Sequence, residues 1–199
     1  TIGSGAESGE ILMRFMHMAD VRLGAVPEGR PDWGDTLSEE LWENFENCIA
    51  DVRREQVELL LIAGDLFGRQ PKMEELQRVN RLFASINRTR VVVMAGDRDY
   101  LCPDSPYLKF QWNRNVACLF SKKCECVRFP EIGTEGYGLS YYQPEQTAAL
   151  YDGLHPVEGD AFHVLLGHGG DAEHIPYRKD EFARSGFDYV ALGHSDICK

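Results

Sequence analysis

The chain has 199 residues, 43% of them hydrophobic, and a formal net charge of −11. That content buries one substantial core and points to one domain; no apolar stretch approaches the roughly 18 residues that span a bilayer and no signal-peptide pattern opens the chain, so a cytoplasmic location without a membrane partner is expected. An acidic surface repels a phosphate backbone, so indiscriminate duplex binding is disfavoured, and Arg53-Arg54, Arg78 with Arg81, Arg88 with Arg90 and Lys122-Lys123 read chiefly as solvated faces.

Residues 1–12 are small, polar and glycine-containing and read as tag or linker sequence ahead of a single domain over 13–199, with Met13 as a native start. The apolar run at 12–19 predicts a strand, and 27–35 a loop rich in turn formers. Thr36 with Glu39 offers a capping box for a helix that carries Leu41, Phe45, Ile49 and Val52 on one face, flanked by Trp42 and Cys48. A strand at 59–63 leads to a second helix over 72–85, with Pro71 suited to its first turn and Leu76, Val79, Leu82, Phe83 and Ile86 facing the core. After a strand at 91–95, the short turn-bounded segments 116–120, 124–129 and 137–141 read as strands of a second sheet. Strands at 162–166 and 189–192 bracket a short helix near 179–184 that stops before Gly186. Without a secretory signal the six cysteines read as reduced thiols, and the one local pair, Cys124-Glu125-Cys126, reads as a structural strand rather than a zinc site.

Five of these apolar runs end in residues that bind metals or line phosphate sites: Asp20, Gly64-Asp65, Gly96-Asp97, Gly167-His168 and Gly193-His194. Continuous apolar runs separated by helices are strands covered on both faces, and the C-terminal ends of such strands form the ligand-binding edge of an open α/β sheet. Three carboxylates and two imidazoles are therefore expected to converge. His17 and His163 fall inside strand patterns and read as satisfied core or supporting residues, whereas His155 and His174 fall in loops with no supporting constellation. Ser195 lacks the elbow of a serine hydrolase.

The stretches His17-Met18-Ala19-Asp20-Val21-Arg22-Leu23-Gly24, Gly64-Asp65-Leu66-Phe67, Gly96-Asp97-Arg98-Asp99, His168-Gly169 and Gly193-His194-Ser195-Asp196 resemble, in order, the motifs of calcineurin-like metallophosphoesterases. Leu23-Gly24 and Leu66-Phe67 resemble the SbcD-type DNA repair exonucleases within that superfamily. The resemblance implies a layered α/β sandwich of two mixed sheets flanked by helices. It also implies further strands past the final motif, so either C-terminal strands are missing here or a partner covers the open edge. In the family two divalent ions about 3.5–4 Å apart share a carboxylate and stabilise in-line attack on phosphorus. Carried over by position, one ion falls to Asp65, Asp97, His168 and His194, and the other to Asp20, Asp65 and positions 22 and 196.

Four positions depart from the family pattern: Arg22 and Arg98 replace histidines, Asp97 replaces an asparagine and Asp196 a histidine. A guanidinium has five donors and no lone pair, so Arg22 cannot coordinate a cation. Arg98 cannot donate a proton at neutral pH, although it can clamp a phosphate. The exchanges balance in charge, which suggests a salt bridge in place of a metal: Arg22 is expected between Asp20 and Asp196, and Arg98 beside Asp97 or Asp99.

The expected metal ligands are thus Asp20, Asp65, Asp97, His168, His194 and Asp196, with Arg22, Arg98 and Asp99 as the remaining catalytic candidates. At most one ion is expected, manganese first, then iron or zinc, and a centre with none is the limit of the same reasoning. Three functions follow from the resemblance: a weakened or inactive exonuclease-like phosphoesterase, an active single-ion phosphoesterase or nuclease, and a non-catalytic module that partners an SbcC-like ATPase or its own copy. The implied ligand is nucleic acid or another phosphoester.

Overall fold

The computed structural model describes residues 2–3, 13–25 and 34–194. Two mixed sheets lie face to face. The first has the order β1-β2-β3-β4-β5, from β1 (Ile2–Gly3), β2 (Phe15–Met18), β3 (Leu59–Ala63), β4 (Arg90–Met94) and β5 (Val116–Cys118). β2 to β5 run parallel and β1 pairs antiparallel with β2. The second has the order β6-β7-β8-β9, from β6 (Glu125–Phe129), β7 (Thr134–Gly138), β8 (Phe162–His168) and β9 (Tyr189–Gly193). Only its β6–β7 pair is antiparallel.

Strand alternation divides the core into two layers. Leu60 and Ile62 of β3 and Val91 and Val93 of β4 face α1 (Gly34–Arg54) and α2 (Met73–Ser85), where they meet Phe45, Ile49, Val52, Leu76, Val79 and Phe83. Leu59, Leu61 and Ala63 of β3 and Val92 and Met94 of β4 face the second sheet and pack on Val164, Leu166 and Ala191. Because successive strand side chains point to opposite faces, one run of five apolar residues fills both layers. Full burial of a Leu or Val contributes about 1.5–3 kcal/mol, which makes β3, buried throughout, the fold's main anchor. At α2, the Glu75 carboxylate accepts the Lys72 N–H at 2.7 Å and pairs with Arg69 at 2.7 Å.

Several expectations are corrected. The segment at 116–120 joins the first sheet, as β5 beside β4, rather than the second. The strand expected at 137–141 is β7, which starts at Thr134 and ends at Gly138, because Tyr141 has turned away to bond Ala95 and Leu101. Gly136 and Gly138 hide this strand from an apolar pattern, yet a Cβ at Gly138 would fall 2.9 Å from Leu119 and 3.0 Å from the Leu166 carbonyl. Pro71 precedes the α2 cap at Lys72 rather than sitting in the first turn. The first helix begins at Gly34, ahead of the expected cap at Thr36. Two short helices, α3 (Pro106–Lys109) and α4 (Lys179–Phe182), and a 3-10 turn over Pro130–Ile132 complete the elements described, of which α3 carried no sequence pattern. Cys48, Cys102, Cys118, Cys124 and Cys126 are free thiols, and no described helix is long and apolar enough to cross a membrane.

Candidate metal centre

The C-terminal ends of β2, β3, β4, β8 and β9 meet at one edge of the two sheets and deliver Asp20, Asp65, Asp97, His168 and His194 to one pocket. Close approach of backbone makes this possible. A Cβ at Gly96 would fall 2.2 Å from Asp65 Oδ1, and one at Gly193 would fall 2.2 Å from the Ala63 carbonyl oxygen, so neither position admits a larger residue without movement. The backbone is strained around the same point: Asp20, Arg22, Asp65 and His194 have φ of 53°, 55°, 51° and 80°. Left-handed L-residues clustered in this way cost free energy and persist where the surrounding structure holds them, typically at functional sites.

Asp65 lies at the bottom, with no exposed surface. Its Oδ1 accepts the Arg98 N–H at 3.0 Å and lies 3.5 Å from His168 Nε2. Its Oδ2 is buried and has no hydrogen-bond partner among the described residues. Burial pushes this carboxyl up to about 7, against the opposing pull of His168. Asp97 Oδ1 receives both imidazoles, His168 Nε2 at 2.8 Å and His194 Nδ1 at 2.9 Å. Burial alone would raise the Asp97 carboxyl, but the bonds from the two histidines hold it far below the usual carboxylate range.

The imidazoles are held from behind. His168 Nδ1 lies 2.9 Å from the Ala63 carbonyl, which can only accept, so Nδ1 carries a proton, while Nε2 faces the pocket and Asp97. Tyr151 fixes the His168 backbone, donating its hydroxyl to the carbonyl at 3.1 Å and accepting the N–H at 2.8 Å. Burial lowers the His168 pKa, but Asp97 and Asp65 outweigh it and the net direction is upward. His194 is raised to about 9, chiefly by its bond to Asp97 and with burial opposing. Asp20 Oδ2 accepts the His194 N–H at 2.8 Å, which ties β2 to β9 across the pocket.

Both arginines point into this edge. Arg22 Nη2 lies 3.2 Å from Asp20 Oδ1 and its Nε lies 3.9 Å from Asp65 Oδ2. Arg98 is more exposed, at 55%, with Nε 4.0 Å from both Asp65 Oδ2 and Asp97 Oδ2. Asp196 lies outside the described residues.

Asp99 is placed elsewhere. It is fully buried behind the pocket, where Oδ1 accepts the Gly96 N–H at 2.8 Å and Oδ2 accepts the Phe67 N–H at 3.1 Å and the Tyr107 hydroxyl at 2.8 Å. Burial raises this carboxyl, against those three bonds. It ties the loop after β4 to the loop after β3 rather than lining the pocket with Arg22 and Arg98. His17 also stays outside the pocket, its Nδ1 3.2 Å from the Tyr189 hydroxyl, and burial lowers it to about 4. Asp171, which carried no expectation, and His174, expected to be a loop histidine with no supporting constellation, both reach His194 from the loop after β8. The short Asp-x-x-His spacing was their only mark.

A family model described as calcineurin-like phosphoesterase matches residues 13–198. The chain belongs to that family. It is 30% identical over 207 residues to a protein of Bacillus subtilis (strain 168) named uncharacterized metallophosphoesterase YhaO, an alignment covering 92% of this chain and 48% of that protein. The chain therefore spans about half the length of this curated relative.

Calcineurin-like phosphoesterases bind divalent metals, and the pocket fits one position well. Oxygen and nitrogen atoms of Asp97, His168 and His194 lie within 4.8 Å of one another, as do those of Asp20, Asp65 and His168. Mixed carboxylate and imidazole donors suit manganese, iron or zinc. The buried Asp65 Oδ2, which accepts no hydrogen bond among the described residues and meets Arg22 and Arg98 at 3.9 and 4.0 Å, is the kind of atom that a cation satisfies. The corner between Asp20 and Asp65 fits an ion poorly, because the Arg22 guanidinium lies against both carboxylates.

Proposed function

We propose that this chain carries a metallophosphoesterase domain related to the SbcD-type DNA repair exonucleases, with one divalent-ion position and weakened phosphodiester hydrolysis. The observation that carries this reading is the Arg22 guanidinium at 3.2 Å from Asp20 and 3.9 Å from Asp65, where the family's other ion would need both oxygens. Asp65, Asp97, His168 and His194 would hold the remaining ion, which would supply Lewis-acid polarisation of a phosphoryl oxygen. Asp97 orders both imidazoles. With Arg98 in place of histidine, that position cannot donate a proton to a leaving group at neutral pH.

The position of Arg98 favours a second reading, an active single-ion phosphoesterase. Its half-exposed guanidinium sits at the rim within 4.0 Å of two metal-site carboxylates, where it would stabilise charge on a bound phosphate.

Manganese-dependent hydrolysis of bis(p-nitrophenyl) phosphate decides between them. The natural chain should be slow, and the combined variant Arg22→His, Asp97→Asn, Arg98→His, Asp196→His should be faster. Brisk cleavage by the natural chain that Arg98→Ala abolishes would establish the second reading, and no gain in the combined variant would overturn the first.

A further inference from the structure

His194 is the one metal-site imidazole whose outer nitrogen meets a charged group. Its Nε2 lies 2.9 Å from Asp171 Oδ2, and its Nδ1 lies 2.9 Å from Asp97 Oδ1. Asp171 is itself fixed: Oδ1 accepts the backbone N–H groups of Glu173 at 2.8 Å and His174 at 2.9 Å, and His174 Nδ1 lies 2.8 Å from Oδ1 and 2.9 Å from Oδ2. The His174 ring lies over His194 with centroids 4.2 Å apart. A carboxylate only accepts, so without a metal both His194 nitrogens, each facing a carboxylate, carry protons; an ion bound beside Asp97 would displace the Nδ1 proton and leave the Nε2 proton bonded to Asp171.

We propose that Asp171 is a positioning residue for the metal centre: by accepting the Nε2 proton of His194 it holds the ring with Nδ1 facing the ion position shared with Asp97 and His168. The inference rests on the single-ion reading above. It makes the two imidazole ligands unequal. His168 is backed by the neutral, buried carbonyl of Ala63, whereas His194 is backed by a charged carboxylate on an exposed loop. A carboxylate behind a metal-bound histidine raises its basicity and fixes its orientation, and removing such a partner costs 10–100-fold in metal affinity.

A rival use of the same residues is a separate ion held by Asp171, His174 and His194, whose donor atoms also lie within 4.8 Å of one another. That arrangement would take His194 Nε2 for itself, so one ring would bridge two cations. It would also leave Asp171 serving the ion and two backbone N–H groups together.

The experiment uses the full chain labelled with ¹⁵N-histidine, alone and as Asp171→Asn. Calorimetric titration with manganese should show the same number of ions in both proteins and an affinity about 10–100-fold lower in the variant. In the diamagnetic zinc form, the His194 Nε2 proton should be present and slow to exchange in the natural chain, and fast to exchange in Asp171→Asn. A lesion that merely loosened the loop would not move that proton selectively. Equal affinities, or a zinc form in which Nδ1 carries the proton, would overturn the proposal. So would loss of a whole ion in Asp171→Asn, which would make Asp171 a ligand. A natural chain that takes up no manganese would sink the metal reading and this inference with it, an outcome distinct from equal binding by both proteins.

Discussion

Arg22→His tests the charge argument most directly. An ion bonded to Asp20 and Asp65 would lie near the guanidinium that is now 3.2 Å from one carboxylate and 3.9 Å from the other. Two unit charges 4 Å apart interact by about 4 kcal/mol at an effective dielectric of 20, so a dication and a guanidinium repel by about 8 kcal/mol. The Arg22 side chain is 31% exposed, and halving the figure for solvent screening leaves about 4 kcal/mol, or roughly three orders of magnitude in affinity. Arg22→His removes this repulsion and adds an imidazole donor, whereas Arg22→Gln removes the repulsion alone. Equilibrium dialysis against manganese, with bound metal counted by plasma emission, should give at most one ion for the natural chain, two for Arg22→His, and a weak second ion for Arg22→Gln. In chelator both variants should melt below the natural chain, since Asp20 and Asp65 lose their cation, and manganese should restore Arg22→His more than Arg22→Gln. The reasoning fails if the natural chain already holds two ions, or if both variants bind as it does.

Tyr107→Phe removes the hydroxyl that Asp99 Oδ2 accepts at 2.8 Å, and a buried acceptor deprived of one partner should cost about 1–3 kcal/mol in urea unfolding. Manganese affinity should barely change, and a large loss of affinity with intact stability would return Asp99 to the site itself. The metal-free chain should also lose thermal stability as pH rises from 6.5 to 9. Protonated His194, raised from 6.5 to about 9, contributes stability that is complete below 6.5 and lost as pH passes through 9. Asp65, raised from 3.8 to about 7, contributes with the same sign, complete below 3.8 and gone above 7. Melting followed by circular dichroism in chelator checks this, and a midpoint that climbs with pH would contradict it.

The strands that carry the pocket were legible because a strand buried on both faces is a continuous apolar run, and the residue after such a run must stand at the sheet's edge. Asp20 follows such a run directly, and Asp65, Asp97, His168 and His194 each follow one after a single glycine. Sheet membership did not follow: nothing in Val116–Cys118 states that it pairs with β4, since pairing is decided by what lies across the gap. The Gly136 and Gly138 positions of β7 read as turn formers, although the close packing around Gly138 is what excludes a side chain there. The placement of Asp99 did not follow either, because it is set by two backbone N–H groups, one of them Phe67 in another loop, and by the Tyr107 hydroxyl, contacts that a sequence pattern does not display. Asp171 and His174 stayed hidden for a related reason, since their meaning lies in a contact with His194 across the pocket.

The left-handed conformations at Asp20, Arg22, Asp65 and His194 have a consequence for how this pocket can change over time. Main-chain bonds from Asp20 and Arg22 to the Gly64 and Asp65 carbonyls hold two of these turns in register whatever the side chains are. The mould is therefore cast in backbone, and the groups hung upon it can be exchanged singly without collapse of the mould. A lineage could thus trade an ion for a guanidinium, and later trade back, while passing only through folded intermediates.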